Sequence, residues 1–169
     1  MWWYAWRLFG QMKDDALNPA NFLMEVLPIA QPTPTIRTEV EEIVSRLIEI
    51  TKRNQENNRE VGKWIQSTHN IPKIGQKLGN FASLSQVEFV ETIRQRMPKT
   101  SGGLSPKGLK EVENVYQEYA MPMQSDRLTA NRLEHRLNDL INQAYQLTPA
   151  EIELMWRTAP PRMPINLEI

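Results

Sequence analysis

Two long runs of residues spaced alternately three and four apart constrain the fold of this chain more than any other feature. The first seam comprises Ile36, Val40, Ile43, Leu47, Ile50, Asn54, Asn57, Val61 and Trp64, with two polar positions in its middle. The second seam comprises Leu109, Val112, Tyr116, Tyr119, Met123, Asp126, Ala130, Leu133, Leu137, Leu140, Ala144 and Leu147. This spacing places all members of a seam on one face of an α-helix. The seams therefore predict two long helices, over 36–68 and 105–147.

The segment between the seams, 70–104, reads as a small helical insert. Ser85 predicts the start of a helix over 86–96, and the glycines at 102–103 indicate a flexible turn that begins at 99. Two long helices joined by a short insert predict an antiparallel pair with the insert at its tip. Pro122 lies inside the second seam without disturbing its register, so we expect a kinked but continuous helix there.

The two ends of the chain give weaker signals. Residues 1–35 read as an irregular segment that ends in a Pro-rich link, and Thr35 is the expected cap of the first long helix. Thr148, followed by Pro149, predicts a last helix. The tail to Ile169 is expected to be extended and docked through Met163, Ile165 and Leu167. The predicted fold class is all-α, divided into 1–35, a helical arm over 36–147, and a terminal helix and tail over 148–169.

Three of the five Trp residues lie within the first six positions. One interpretation is that these aromatic side chains pack into the chain's own core. The other is that they dock on a neighbouring domain, because exposed aromatic side chains at this density favour association. The same N-terminus lacks a basic region and a cleavage site of the secretory kind, and the sequence holds no span of about 18 apolar residues. A cytoplasmic location is therefore expected.

The formal net charge is zero, with 20 basic and 20 acidic residues, which argues against a polycation of the histone type. The charges are unevenly distributed, however, because 52–110 holds eleven basic and four acidic residues and has a net charge of +7. A clustered basic region is typical of proteins that bind a phosphate backbone, although a solvated lysine-rich tip gives the same pattern. The candidate DNA-binding residues are Lys52, Arg53, Lys63, Lys73, Lys77, Arg94, Arg96 and Lys99. Nearby amides that could reach bases or phosphates are Gln55, Asn57, Asn58, Gln66, Asn70 and Gln76.

The sequence contains no recognisable catalytic motif. The absence of Cys excludes a disulfide framework, a thiolate zinc site and a cysteine nucleophile. No P-loop, GxGxxG, HExxH or GxSxG pattern occurs. His69 and His135 lie on different predicted helices, and each is expected at the surface or at a helix cap. We therefore assign no catalytic residue, no cofactor-binding residue and no metal ligand.

The segment LNDLINQAYQLTPAEI, residues 137–152, resembles the L-x-x-L-V-x-x-A-Y-G-L-T-x-E-E-I stretch of N6-adenine DNA methyltransferases. That family includes large type II restriction enzymes that fuse nuclease, methylase and target-recognition parts. The match extends to MWRTAPPRMP at 155–164, and to GQKL at 75–78 with the later Phe89-Val90 and Leu104-Ser105-Pro106. Leu27-Pro28-Ile29 is similar to the exit from a target-recognition domain. The resemblance covers about residues 25–165.

This resemblance implies the C-terminal helical lobe of such an enzyme, standing alone as a subunit, a split gene or a remnant. The family's methyl donor, S-adenosylmethionine, would belong to a methylase domain that this sequence lacks. Asn18-Pro19-Ala20-Asn21-Phe22 begins like the family's adenine-binding motif but lacks its second Pro and its aromatic fourth residue. No catalytic residue is therefore carried over.

Two functions remain open from the sequence. The first is a non-catalytic lobe that grips double-stranded DNA through a basic helical tip. The second is a protein-interaction module that docks a methylase or nuclease subunit through the seams and the Trp-rich start. A decayed fragment without activity is a further interpretation.

Overall fold

The computed structural model describes residues 2–11, 17–18, 21–98 and 102–159. The helices are α1 (Trp2–Leu8), α2 (Asn21–Met24), α3 (Pro34–His69), α4 (Gly75–Gly79), α5 (Gln86–Arg96), α6 (Pro106–Val115), α7 (Met121–Ala144) and α8 (Pro149–Arg157). A 3-10 turn covers Phe81–Ser83, and a π turn over Tyr116–Ala120 joins α6 to α7. The predicted all-α class is confirmed. The described extended structure is a two-residue antiparallel ladder between β1 (Gly10–Gln11) and β2 (Leu17–Asn18).

The chain forms two compact units. The terminal unit consists of Met1–Glu41 and His135–Ile169, and the central unit is Glu42–Glu134. This grouping differs from the division expected from the sequence, because the N-terminal segment shares a unit with the C-terminal helix. That segment, expected to be irregular, also contains α1. The expected docking of Met163, Ile165 and Leu167 and the turn at 99–101 lie outside the described residues.

The predicted seams correspond closely to burial. Every seam residue of α3 and of the second seam is buried or half-buried, with Ile43, Ile50, Val61, Val112 and Leu140 among the fully buried ones. The α3 seam also extends beyond its predicted end, because Ile65 and His69 are buried. At that end α3 packs against the insert as well as against the second long helix. The insert covers additional side chains of α3, including Ile65.

The long helices run antiparallel within each unit. In the central unit Arg53 pairs with Asp126, and the hydroxyl of Tyr119 lies 3.5 Å from a carboxylate oxygen of Glu60. Arg53 precedes Glu60 on α3, whereas Asp126, the partner of Arg53, follows Tyr119 on the second long helix. The two helices therefore run in opposite directions. In the terminal unit Arg136 forms a bidentate ion pair with Glu39, at 2.7 and 3.0 Å.

The insert provides much of the core of the central unit. Phe81, Phe89 and Tyr116 form a chain of tilted rings with centroids 5.5 and 5.7 Å apart. Ile65 from α3, Ile93 from α5 and Val112 from α6 complete the same buried cluster. The insert is therefore an integral part of this unit.

In the terminal unit, α1 packs against the end of α8. The indole N–H of Trp3 donates to the hydroxyl of Thr158 at 2.9 Å, and the Arg7 guanidinium stacks 3.6 Å from the centre of the Trp3 ring. Ala5 and Phe9 on the same segment are buried. For Trp3, these contacts favour the interpretation that the aromatic start packs within its own chain.

Local side-chain caps explain where α3, α5, α6 and α8 begin. Ser85 and Thr148 each form a capping box, with Glu88 and Glu151 respectively, and Ser105 caps α6 ahead of Pro106. The predicted cap of α3 is wrong by two residues: the hydroxyl of Thr33 accepts from the Ile36 N–H at 3.3 Å, and α3 begins at Pro34. Pro at the first helical position is favourable because its missing N–H would have no helical partner.

The second long helix is continuous through Pro122, as predicted. The π turn over 116–120 ends two residues before this proline. Proline cannot donate to the carbonyl four residues back, and its ring collides with it in a regular α-helix. A widened turn at this point relieves that conflict and turns both Tyr116 and Ala120 into the core.

Candidate nucleic-acid interface

The candidate DNA-binding residues that the structure describes all lie in the central unit and are exposed. They are Lys52, Arg53 and Lys63 on α3, Lys73 before α4, Lys77 on α4, and Arg94 and Arg96 on α5. Lys99 lies outside the described residues. Exposure alone does not define a binding face, so the assignment of these residues to DNA binding stays a prediction.

Arg53 is committed to an ion pair within the protein. Its Nη2 and Nε donate to the two carboxylate oxygens of Asp126 at 2.6 and 3.0 Å. The Asp126 hydrogen bond and charge raise the pKa of Arg53. A bidentate pair of this kind compensates the positive charge, so Arg53 is a poor candidate for a phosphate contact.

Arg96 is also held by the protein. Its Nη1 donates to the backbone carbonyl of Lys73 at 3.2 Å, and the guanidinium lies over the backbone of Gly75. A Cβ at position 75 would come within 2.5 Å of that Nη1. The loop before α4 and the end of α5 are therefore joined through Arg96, which brings Lys73 and Arg96 together.

The side chains of five candidates make no hydrogen bond or ion pair with any other described residue, namely Lys52, Lys63, Lys73, Lys77 and Arg94. Lys77 is near enough to Glu88 to help lower the pKa of that carboxyl, after the larger effect of the Ser85 cap. Lys52 and Lys63 are about 16 Å apart along α3. Lys77 and Arg94 lie on α4 and α5, which contact one another.

The central unit is less basic than the segment that suggested it. It carries fourteen Lys and Arg and eleven Asp and Glu, for a formal net charge of +3, and the terminal unit balances this with −3. The difference from +7 arises because 111–134, on the second long helix, contributes −3 and 42–51 contributes −1. The central unit therefore carries a net positive charge, but acidic residues such as Asp126 reduce it.

A cavity of about 300 Å³ in the central unit, with a mainly apolar surface, was not predicted as a site. We call it the carboxamide cavity, and its lining includes Asn54, Asn58, Asn80, Met123, Gln124 and Arg127. The side-chain oxygens of Asn54 and Asn58 are buried and accept no hydrogen bond from the described residues. The sequence signal was Asn54, a polar position that interrupts the first seam, but only the fold places Gln124 and Arg127 opposite it.

His69 was expected at the surface or at a helix cap; it is the last residue of α3, but the surface alternative is wrong. Its side chain is buried, its ring packs edge-on against Trp64 at 4.9 Å, and its Nε2 has no partner among the described residues. Burial lowers the pKa of His69, and the charge of Glu111 opposes this only in part. The histidine falls on the buried face because the insert covers the last turn of α3. His135, the other histidine, is half-buried on α7.

Other classes of site find no support in the described part of the chain. Within the described ranges, no group of three or more His, Asp or Glu side chains is arranged to hold a metal ion. No helix among those same residues is long and apolar enough to cross a membrane.

Residues 33–141 match a family model described as a domain of unknown function (DUF8810). The match covers more than half of the chain and runs from the start of α3 almost to the end of α7, so the chain belongs to this family. No curated protein and no solved structure matches it significantly.

Proposed function

We propose that this chain is a non-catalytic, DNA-binding accessory lobe of a restriction-modification enzyme of the adenine-specific methyltransferase type, acting in the cytoplasm. The observation that carries the proposal is the exposure of Lys52, Lys63, Lys77 and Arg94 on one unit of net positive charge, without partners among the described residues. The resemblance of 137–164 to the methyltransferase lobe supplies the enzyme class. S-adenosylmethionine would be bound by a separate methylase domain.

Such a lobe has a physical role in base modification. An enzyme that extrudes its target base must hold the duplex while the base leaves the stack. Lysine and arginine contacts to phosphates fix position and orientation without reading the sequence. The expected ligand is therefore duplex DNA, bound with little sequence preference by this lobe alone.

The test is the salt dependence of duplex binding. The variant Lys73→Gln/Lys77→Gln/Arg94→Gln removes three exposed cations. It keeps Arg53 and Arg96, because loss of their contacts within the protein would also change stability. We expect weaker binding, and a slope of log K against log salt that falls by about 0.9 for each phosphate contact removed. Fluorescence anisotropy with a labelled duplex measures both quantities.

The matched control is Arg37→Gln/Arg132→Gln/Arg157→Gln, which removes the same charge from exposed positions outside the basic segment. We expect a much smaller change in affinity and slope for this control. Equal effects of the two triple variants would mean that only net charge matters, and no binding by the wild type would contradict the DNA-binding role.

A second candidate function, docking of a separate methylase or nuclease subunit, has support from one exposed segment. Phe22 and Ile29 are 68% and 69% exposed, and Met24 and Val26 between them are also exposed. The seams and Trp3, which first suggested docking, make contacts within the chain instead. Affinity capture from the native host with wild type and with Phe22→Ser/Ile29→Ser tests this. Loss of a methylase or nuclease only in the variant favours docking, and its absence from the wild-type sample counts against it.

A further inference from the structure

Asn54 and Asn58 line the carboxamide cavity, and each has a buried side-chain oxygen that accepts no hydrogen bond from the described residues. Asn54 and Asn58 lie one helical turn apart on α3, so their side chains project from the same face. Because a buried carboxamide oxygen without a donor destabilises the folded state, natural proteins retain few of them. Neither oxygen accepts a hydrogen bond from a described donor. Each amide group can therefore rotate and turn its oxygen towards the cavity without losing a hydrogen bond of that oxygen.

The remaining lining restricts the kind of molecule that fits. Ile50 and Met123 contribute apolar surface, and Gln124 is fixed by hydrogen bonds from its Nε2 to the Ala82 carbonyl and the Tyr116 hydroxyl, at 2.9 and 3.0 Å. Arg127 is the charged residue among the described lining side chains. It makes no ion pair with the described residues, so the cavity favours an anion over a cation.

Size and hydrogen-bonding chemistry narrow the class further. A volume of about 300 Å³ is at the lower end for ligand pockets, so the bound group is small. Carboxamides pair well with the adjacent donor and acceptor groups on the edge of a nucleobase. Apolar side chains such as Met123 suit the faces of a flat ring, and a guanidinium suits a phosphate.

We propose that the carboxamide cavity binds one nucleotide unit, with Asn54 and Asn58 contacting the base edge and Arg127 contacting the phosphate. This inference is independent of the proposed duplex-binding role, which depends on other residues. The nucleotide can come from two sources, a free mononucleotide or a base of a single strand, and both share this chemistry.

The experiment titrates the full chain with AMP, GMP, CMP, dTMP, adenosine, inorganic phosphate and a five-nucleotide single strand. Thermal unfolding and amide chemical shifts of the lining residues report binding. We expect at least one mononucleotide, or the single strand, to raise the melting temperature and shift the lining signals. If AMP is a ligand, adenosine binds about ten-fold more weakly because it lacks the phosphate.

Variants of the lining residues test each assigned contact. Arg127→Gln is expected to abolish the preference for the phosphorylated ligand. Asn54→Leu and Asn58→Leu are each expected to weaken binding about ten-fold while raising the melting temperature of the free protein, because each removes an unpaired buried acceptor. Asn57→Leu makes the same change on α3 outside the cavity lining and is expected to retain the wild-type affinity.

Three results would overturn the proposal. They are the absence of any shift at millimolar concentrations of all probes, binding of inorganic phosphate as tight as that of the nucleotides, and unchanged nucleotide affinity in both leucine variants. Binding of the single strand without binding of free mononucleotides supports the proposal and identifies nucleic acid as the source. Loss of duplex binding in the triple glutamine variant with intact nucleotide binding would separate this site from the proposed function.

Discussion

The guanidinium of Arg96 lies where a side chain at position 75 would project. Gly75 has a backbone φ of +65°, a conformation that costs other residues energy even in open space. A Cβ at this position would lie 2.5 and 2.7 Å from the Arg96 Nη1 and Nη2 atoms, so the guanidinium would have to move. One residue therefore permits both the turn before α4 and its connection to α5.

We predict that Gly75→Ala lowers the free energy of unfolding by about 1–2 kcal/mol, through backbone strain and displacement of Arg96. Gly79→Ala is the matched control, since nothing lies within 4 Å of the added Cβ and φ is not positive. We expect that control to be neutral or slightly stabilising. Urea denaturation measures both, and equal effects would contradict both the backbone strain and the role of the Arg96 contact.

His69 makes stability depend on pH near neutrality. Its pKa is lowered in the folded state by burial, so the unfolded chain binds the proton more readily. Stability is therefore complete above the ordinary histidine pKa of 6.5 and decreases as pH falls below that value. We predict that His69→Gln removes this decrease, as measured by melting temperatures between pH 5 and pH 8.

The control for this prediction is His135→Gln, which replaces the half-buried histidine on α7. We expect it to leave the pH dependence intact. A wild-type melting temperature that is constant across that pH range would contradict the assignment to His69.

At the scale of elements, the π turn before Pro122 couples the second long helix to the insert. The Tyr116 hydroxyl donates to the Leu84 carbonyl at 2.6 Å and accepts from Gln124 Nε2 at 3.0 Å. These bonds exist because the widened turn directs Tyr116 into the core of the central unit. The turn thus both accommodates a proline and supplies a polar connection.

We predict that Tyr116→Phe lowers the free energy of unfolding by about 1 kcal/mol, because it leaves the half-buried Leu84 carbonyl without its donor. Tyr119→Phe changes the same residue type in the same turn, but its hydroxyl contact to Glu60 is long, at 3.5 Å. We expect a change below about 0.5 kcal/mol for that control. Chemical denaturation measures the free energy of unfolding of both variants, and equal losses would contradict the prediction.

The burial pattern of α3 gives a second prediction for an element. Ile65 is fully buried, whereas Ile48 on the same helix is 54% exposed. Ile65→Ala is expected to cost about 2–5 kcal/mol through lost burial and the cavity it leaves. Ile48→Ala is expected to change stability by less than about 0.5 kcal/mol. Similar losses for both would mean that the buried face of α3 is assigned incorrectly.

For the whole molecule, acid is expected to destabilise both units through three exposed carboxyl groups. Hydrogen bonds lower the pKa of Glu39 through Arg136, of Glu88 through Ser85, and of Glu151 through Thr148. A lowered folded pKa gives stability that is complete above the ordinary value of 4.5 and is lost as pH falls towards the folded pKa.

We predict that Glu39→Gln/Glu88→Gln/Glu151→Gln flattens the loss of melting temperature below pH 4.5. Glutamine keeps an acceptor for each cap but cannot titrate. Replacement of Glu41, Glu91 and Glu153, which are exposed on the same helices, serves as the control. An equally flat profile in that control would contradict the role of the three capped or paired carboxyls.

The sequence predicted the elements well and the sites poorly. The caps at Ser85, Ser105 and Thr148 and the continuity through Pro122 depend on interactions between residues close in sequence, and these predictions are confirmed. The surface position of His69 was wrong because burial of that residue depends on the insert. The eight basic candidates could be found by counting charges, but their partners could not.

By itself, the sequence determined the two long helices, the starts of α5, α6 and α8, and the two buried faces, because spacing, capping and proline geometry act within a few residues of the chain. Only the tertiary structure decided which charges remain available and which polar groups meet. Asp126 neutralises Arg53 from 73 positions away, and Gln124 and Arg127 reach the cavity beside Asn54 only through antiparallel packing. Such contacts depend on how distant segments pair, and no local pattern in the sequence records that pairing.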